Sequence, residues 1–374
     1  MKLALVSDVL DPTTGWGRYA GEIADELIAS GVDVRLVSPR DRLAIPKLHS
    51  YPDHLSIPSF QYGSRHPVRV FFRTLVPLVR ALRGVDVIHC MIEPFAPVVA
   101  VAAGQRPYFV SLVGTYALPS GRPRIEGTAL GWALRRARGL PAISQYTKAR
   151  IEADIGVPQA SVVPLAVRAE DFFQSTPRVR EPGLIVSVGE PKPRKGYDLM
   201  LEAFATLRSE GIADRYVIVG PYNSSSPYVQ QLQTRINAPD LQGRVTFTGV
   251  VSQEELAAWY HRARLVVMPY RSWKSDFEGF GLVLLEANAC GTPVVSTRDS
   301  GAEEPVVHDM NGLLVAPDNV RELLRAVRGL LTDDARWEVL AAGARRRVAA
   351  MTWRRSVDQL LDIYAGSLGY RLDE

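Results

Sequence analysis

A chain of 374 residues is longer than one ordinary hydrophobic core requires, so its length predicts two domains. With 47% hydrophobic and 22% charged residues, the composition is that of a soluble globular protein. The net charge is +4, and residues 1–170 carry 20 Lys and Arg against 14 Asp and Glu. This excess is too dispersed for nucleic-acid binding and suits an anionic membrane surface or an anionic acceptor.

Cysteine usage and hydropathy restrict the compartment. Cys90 and Cys290 fall in opposite halves of the chain, which excludes a disulfide framework or a CxxC zinc site and fits a reducing cytoplasm. The N-terminal apolar run is interrupted by Asp8 and is too short for a signal peptide. No apolar run approaches the roughly 20 residues of a membrane-spanning helix. The sequence therefore predicts a cytoplasmic protein.

Short apolar runs alternate with helical patterns, which predicts an α/β protein with parallel sheets covered on both faces. The predicted strands of the first half are residues 3–7, 34–37, 85–89, 108–113, 140–143 and 161–163. Those of the second half are residues 184–188, 216–219, 245–247, 265–268 and 293–296. Five prolines from residue 39 to residue 67 predict a long loop. Two doubly wound halves follow, each binding ligands beyond the carboxyl ends of its strands.

Residues 276–296, DFEGFGLVLLEANACGTPVVS, predict a loop, a buried helix and a strand. Gly279 and Gly281 allow a tight turn and a close ligand approach. The first N–H groups of the helix have no partner within it, so they suit a phosphate. Glu278 precedes the helix, and Glu286 lies in an otherwise apolar run. Because a half-buried carboxylate needs a hydrogen-bonding partner, we expect both glutamates to bind hydroxyl groups around a diphosphate.

A second candidate site lies in residues 187–200, SVGEPKPRKGYDLM. Lys192, Arg194 and Lys195 crowd between prolines at the carboxyl end of a predicted strand. A run of charges is usually a solvated surface, but cations in this position favour an anion site.

GWGRYA, residues 15–20, matches the dinucleotide pattern G-x-G-x-x-A. As a signal for NAD it is weak, because seven residues separate Ser7 from Gly15 and that pattern needs its glycines directly after the strand. The second predicted strand also ends in Ser38 and Pro39, without an acid for a ribose. An NAD-dependent enzyme is therefore disfavoured.

These segments resemble the retaining glycosyltransferases of family four, strongly over residues 184–316 and loosely before residue 165. The resemblance implies the GT-B fold, with two doubly wound Rossmann-like domains facing a cleft. We expect an N-terminal acceptor domain at residues 1–165, a linker at 166–182 and a donor domain at 183–353. A C-terminal helix of about 354–374 is expected to pack back on the first domain.

The resemblance also implies a function: retaining, metal-independent transfer of a hexose from a UDP- or GDP-linked donor, without a cofactor. The acceptor would be a hydroxyl of a glycan, glycolipid or envelope polysaccharide. The implied catalytic residues are Glu278, Lys195 and Arg194. The implied donor-sugar residues are Glu278, Gly279, Phe280, Gly281 and Leu282. The implied nucleotide-binding residues are Gly17, Lys195, Arg194, Val251 and Glu286. No DxD motif is present to bind a metal.

The chain departs from the family pattern at several positions, two of which lie in the candidate sites. Glu190 replaces the usual arginine of the basic loop, and Val113 stands where the family often has a histidine, before Gly114. On the acceptor side, His89 is a candidate replacement beside Gly114, although a histidine there is more often a hydrogen-bonded core residue. These departures leave open a non-catalytic nucleotide-sugar or glycan-binding protein on the same fold.

Residues 65–83 predict a basic helix with arginines at 69, 73, 80 and 83 on one stripe. Such a helix can lie in an anionic membrane interface, with Phe72 and Leu75 entering the headgroup region. The alternative is a helix packed on the sheet with a solvated arginine face. Pro77 interrupts the pattern, and both interpretations stay open.

Overall fold

The computed structural model describes residues 1–8, 15–39, 51, 53–58, 67–156, 160–172, 179–273 and 276–368. The chain divides into two compact units. Unit 1 contains Met1–Leu165 together with Trp353–Glu374, and unit 2 contains Ala166–Thr352.

All the strands of the described part pair in parallel. Unit 1 contains β1 (Lys2–Val6), β2 (Asp33–Pro39), β3 (His54–Ile57), β4 (Val87–Cys90), β5 (Tyr108–Val110), β6 (Leu140–Ala142) and β7 (Ala160–Val162). Unit 2 contains β8 (Leu184–Val188), β9 (Arg215–Val219), β10 (Val245–Phe247), β11 (Leu265–Met268), β12 (Val294–Thr297) and β13 (Gly312–Val315).

Helices connect these strands. They are α1 (Gly15–Ala29), α2 (Pro67–Ala81), α3 (Ala96–Ala103), α4 (Arg124–Arg136), α5 (Gln145–Ile155), α6 (Tyr197–Ser209), α7 (Pro227–Ile236), α8 (Gln253–Arg262), α9 (Leu282–Ala289), α10 (Val320–Thr332), α11 (Asp334–Ala350) and α12 (Trp353–Leu368). The terminal helix α12 belongs to unit 1, where it contacts α1.

Both units are doubly wound. The main sheet of unit 1 has the order β3-β2-β1-β4-β5, and isolated bridges from Phe109 to Gly139 and from Leu112 to Ala142 join β5 to β6. The sheet of unit 2 has the order β10-β9-β8-β11-β12-β13. The strand order reverses between β1 and β4 in unit 1 and between β8 and β11 in unit 2. We call these places the switch points, and ligands of such sheets bind there, beyond the carboxyl ends of the strands.

The structure confirms the predicted α/β class and corrects several elements. The predicted loop between residues 39 and 67 contains β3, which forms an edge of the sheet and pairs with β2. Prolines next to a strand are tolerated at an edge, so the proline-rich composition was misleading. β13 was not predicted.

Helix α2 continues through Pro77, and it has features of both predicted interpretations, one buried face and one exposed basic face. The side chains of Val70, Thr74 and Leu78 are buried in the interior of unit 1. The exposed side carries apolar as well as basic side chains: Arg69, Phe72, Arg73, Val76, Val79 and Arg80. Phe72 is 62% exposed, so this helix is part of the fold and still presents an apolar and basic surface. None of the described helices is long and apolar enough to cross a bilayer.

Candidate functional site

The switch point of unit 2 is formed by the loops after β8 and β11. A 3-10 turn at Pro193–Lys195 ends at Gly196, whose φ is 67°. A Cβ at Gly196 would lie 2.0 Å from the carbonyl oxygen of Pro269, so this position requires glycine. This close approach packs the basic loop against the chain that leaves β11.

Lys195 forms the central ion pair of this site. Its Nζ lies 2.9 Å from Oε2 of Glu278 and 5.1 Å from the centre of the Tyr270 ring. The Nε of Arg194 lies 3.9 Å from the same Glu278 oxygen and 3.7 Å from Oδ1 of Asp276. The structure therefore brings together the three residues predicted to be catalytic.

The ionisation of Glu278 follows from its surroundings. Burial by itself would raise the pKa of this carboxyl, but the charges of Lys195 and Arg194 oppose burial and prevail. Hydrogen bonds from Lys195 and from the backbone of Gly281 act in the same direction, so the pKa of Glu278 lies below its usual value. Glu278 is a carboxylate at neutral pH, which makes it an acceptor of hydrogen bonds.

Gly301 packs against the loop between Glu278 and α9 and hydrogen-bonds to it. The N–H of Gly301 donates to the Glu278 carbonyl over 2.9 Å, and a Cβ at Gly301 would lie 2.1 Å from the carbonyl carbon of Gly279. Gly281 begins α9 with a φ of 84°, and no side chain of the described residues caps this helix. The first N–H groups of α9 thus lie directly after the ion pair, while Phe280 is buried and Leu282 is half-buried.

Two buried donors of this site have no hydrogen-bond acceptor within the described residues, Nε of Arg194 and the hydroxyl of Tyr270. Such unpaired buried groups are rare in folded proteins, and each calls for an explanation. The sequence analysis missed Tyr270. Its position, two residues after the predicted strand at 265–268, was the available signal, because loops at that end of a strand carry ligands.

The other predicted residues of unit 2 differ in burial and in partners. Glu286 is 4% exposed in α9, and the Tyr260 hydroxyl donates to its Oε2 over 2.8 Å. Val251 is half-buried in the loop after β10. Glu190 pairs with Lys192 over 2.8 Å, and both side chains are about half exposed. The charge of Lys192 is therefore balanced by Glu190 at the surface, whereas Arg194 and Lys195 lie beside Glu278.

The switch point of unit 1 contains Glu93, which the sequence analysis also missed. It follows β4, is completely buried, and accepts hydrogen bonds on Oε1 from the backbone N–H groups of Val113 and Gly114. Burial raises the pKa of Glu93 to about 7, against the opposing effect of these hydrogen bonds. A carboxyl of this kind anchors the loop after β5 that the sequence analysis assigned to the acceptor.

His89 lies inside unit 1. Its Nδ1 is 2.5 Å from the Tyr364 hydroxyl, and its Nε2 is 2.9 Å from Oγ of Ser111. Burial lowers the pKa of His89 to about 3, so the ring is neutral. These contacts favour the alternative of a hydrogen-bonded core histidine over a residue that touches an acceptor. Gly17 is buried in the first turn of α1.

Comparison with known proteins gives the family. The model of "Glycosyltransferase Family 4" matches residues 13–171, and that of "Glycosyl transferases group 1" matches residues 168–347. A GDP-mannose-dependent α-(1-6)-phosphatidylinositol monomannoside mannosyltransferase of Mycolicibacterium smegmatis is 32% identical over 287 residues, which are 69% of this chain and 74% of that protein. The protein of the same description from Mycobacterium tuberculosis is 32% identical over 238 residues, and the match spans 60% of each chain.

The fold has relatives among solved structures. HepE of Anabaena, crystallised with UDP and glucose, is similar with a TM-score of 0.80 and 19% identity, over 98% of this chain and 100% of that one. At this identity the likeness shows the fold, which is of the GT-B class. The family models and the Mycolicibacterium relative lead to one conclusion: the chain belongs to the family-four glycosyltransferases.

Proposed function

We propose that the chain is a retaining, metal-independent glycosyltransferase that moves a hexose from a UDP- or GDP-linked donor to an acceptor hydroxyl. The observation that carries the proposal is the Lys195–Glu278 ion pair, beside Arg194 and directly before the start of α9. Retention is the stereochemical outcome that the family implies.

Cations and helix N–H groups suit the leaving diphosphate. Cleavage of the sugar–phosphate bond places additional negative charge on the diphosphate, and donors fixed beforehand lower the barrier. Lys195 is fixed by Glu278 and the face of Tyr270, so little reorganisation is needed. Nε of Arg194 has ion-pair contacts of 3.7 and 3.9 Å but no hydrogen-bond acceptor among the described residues, and a phosphate oxygen would satisfy it.

Glu278 suits the donor sugar. It is held as a carboxylate by its cationic neighbours, and hydroxyl groups of a hexose donate to such an acceptor. We assign no general base in the protein, because the departing phosphate can itself take the acceptor proton. Glu286 is assigned to the ribose and Val251 to the base.

The relatives support the proposed classes of donor and acceptor. A mannosyltransferase relative is described as GDP-mannose-dependent, and HepE was crystallised with UDP and glucose, so both nucleotides are candidates. The relative acts on a phosphatidylinositol monomannoside. We therefore propose a glycan or lipid-linked acceptor.

The test is a donor screen with stereochemistry. The purified protein would be incubated with UDP-glucose, UDP-galactose and GDP-mannose, with and without EDTA, and nucleotide release followed by ion-exchange chromatography. We expect release from one donor, unaffected by EDTA and lost in Glu278→Gln, with retained anomeric configuration by proton NMR. Failure to bind or turn over any of these donors, or abolition by EDTA, would contradict the proposal.

We also propose reversible attachment of α2 to anionic membranes. Phe72, Val76 and Val79 are exposed between the arginines, and each cation near such a surface contributes about 1 kcal/mol. The test is sedimentation with phosphatidylglycerol vesicles at low salt. The wild type should sediment, and a variant with arginines 69, 73, 80 and 83 changed to Ser should not.

A matched control removes the same charge elsewhere. The exposed arginines of α10 and α11 serve for this purpose: Arg321, Arg325, Arg345 and Arg346, each changed to Ser. This variant should sediment like the wild type. Equal losses in both variants would show that net charge, rather than α2, determines binding.

A further inference from the structure

Two aromatic side chains stand at the switch point of unit 1. Trp16 lies in the first turn of α1, the helix that follows β1. Tyr116 lies in the 3-10 turn Thr115–Ala117, which follows β5. Both loops leave the carboxyl edge of the same parallel sheet, where doubly wound sheets bind ligands.

The two rings contact each other and remain accessible. Their centroids are 4.9 Å apart with an interplanar angle of 71°, an edge-to-face pair. Tyr116 is 48% exposed and Trp16 is half-buried. An exposed pair of large aromatics costs solvation free energy, and such surfaces on soluble proteins commonly mark binding sites.

The guanidinium of Arg122 lies over the Tyr116 ring. Cζ of Arg122 lies 5.8 Å from the centre of the Tyr116 ring, and its guanidinium donates to the Tyr116 carbonyl. Burial lowers the pKa of Arg122 to about 10, and the group stays charged at neutral pH. Arg122 therefore holds both the ring and the backbone of Tyr116 in place.

The loop that carries Tyr116 is anchored. Glu93 accepts from the N–H groups of Val113 and Gly114, three and two residues before Tyr116. Its second oxygen, Oε2, is buried and accepts no hydrogen bond from the residues that the structure describes. The aromatic pair is therefore held on fixed backbone, which lowers the entropy cost of binding.

We infer that Trp16 and Tyr116 bind the ring of a cyclic polyol, a hexopyranose or an inositol, in the acceptor. One face of such a ring presents C–H groups, which pack on the negative face of an aromatic ring. Its edge presents hydroxyl groups, which stay hydrogen-bonded to water at the rim of such a surface. The inference names the acceptor class and so rests on the proposed function.

The test is saturation-transfer difference NMR on the full chain, with methyl α-D-mannopyranoside and myo-inositol as probes. We expect transfer to the ring protons of at least one probe in the wild type. Trp16→Ala and Tyr116→Ala should each weaken its affinity about three- to tenfold, whereas Trp16→Phe should keep most of it. No transfer to either probe, or equal transfer in the alanine variants, would overturn the inference.

Two control variants separate this surface from other sites. Trp132→Ala removes a 42% exposed tryptophan of α4 that has Arg136 5.5 Å from its ring, and it should leave probe binding unchanged. Lys195→Ala should lower donor turnover strongly but retain probe binding. Probe binding that depends on Trp16, without turnover of any donor, would contradict the proposed function and support this inference.

The base of a nucleotide is the alternative ligand for Trp16 and Tyr116. If Trp16→Ala weakens binding of free UDP or GDP as much as it weakens the polyol, the surface binds a base and the inference is wrong. We expect the nucleotide affinities of Trp16→Ala to stay within about twofold of the wild type, measured by titration calorimetry.

Discussion

Unit 1 and unit 2 each place a glutamate after the fourth strand of a doubly wound sheet, and the two carboxyls ionise differently. In unit 2, Glu278 contacts Lys195 and Arg194, and the pKa of its carboxyl lies below the usual value. In unit 1, Glu93 is buried against backbone N–H groups, and its pKa rises to about 7. The same topology therefore supplies the same location, while the neighbouring charges decide whether the site is ionic.

The surrounding side chains follow this difference. The switch point of unit 2 carries cations and helix N–H groups, which suit a diphosphate. The switch point of unit 1 carries Trp16 and Tyr116, which suit a ring with a C–H face. Two similar sheets in one chain are thus equipped for chemically different ligands.

Removing Lys195 takes the central cation from unit 2 and should have the largest effect on catalysis. We expect Lys195→Ala to lower turnover of the donor by about 100-fold, because a fixed donor to the developing charge is lost. Lys192→Ala is the control, since Lys192 is paired with Glu190 and half exposed. Steady-state nucleotide release measures both, and similar small effects would mean that the basic loop does not contact the diphosphate.

Glu93→Gln tests the neutral carboxyl of unit 1. The folded pKa of about 7 lies above the unfolded value of 4.5, so wild-type stability falls as pH rises through this window. The shift corresponds to roughly 3 kcal/mol, which is retained below pH 4.5 and lost above pH 7. A glutamine side chain in this place cannot ionise. Between about pH 4.5 and pH 8, the free energy of unfolding measured by urea denaturation should therefore fall more in the wild type than in the variant, by that amount.

One result would contradict this interpretation. If Glu93→Gln also follows the wild type across the same pH range, Glu93 is ionised in the folded protein and the contrast with Glu278 disappears.

Glu286 tests whether the second glutamate of unit 2 also binds substrate. Glu286→Ala should weaken binding of the free nucleotide by about one to two decades, since a hydrogen bond to a charged group contributes roughly 1.5–3 kcal/mol. Calorimetry with UDP and GDP measures this effect. Tyr260→Phe removes the hydroxyl that donates to Glu286 and serves as the control for local disturbance. Unchanged affinity in folded Glu286→Ala would refute the ribose assignment.

Tyr270→Phe has the smallest expected effect, on stability. The Tyr270 hydroxyl is buried and has no acceptor among the described residues, so its removal should raise the free energy of unfolding by about 1 kcal/mol. Tyr197→Phe should lower it by about 1 kcal/mol, because the Tyr197 hydroxyl donates to the Gly189 carbonyl over 2.7 Å. Urea denaturation compares the two, and equal losses would show that Tyr270 has an acceptor in solution.

The local sequence determined the elements and the ionic site. Apolar runs such as residues 184–188 and 265–268 coincide with β8 and β11, because strands buried on both faces are almost continuously apolar. Glycines at 279, 281 and 196 marked the turns that present Glu278 and Lys195, and at positions 281 and 196 a positive φ and close contacts favour glycine. These signals are short-range, and one segment of sequence contains each of them.

Tertiary structure decided what depends on distant partners. His89 is a core residue because Tyr364, 275 residues away on α12, and Ser111 occupy its ring nitrogens. Glu93 becomes buried only when the loops after β4 and β5 meet, and Trp16 of α1 contacts Tyr116 only in the folded unit. Burial and the charge of neighbours set the pKa and the role of a side chain. Both depend on contacts across the sheet, which no local pattern of residues encodes.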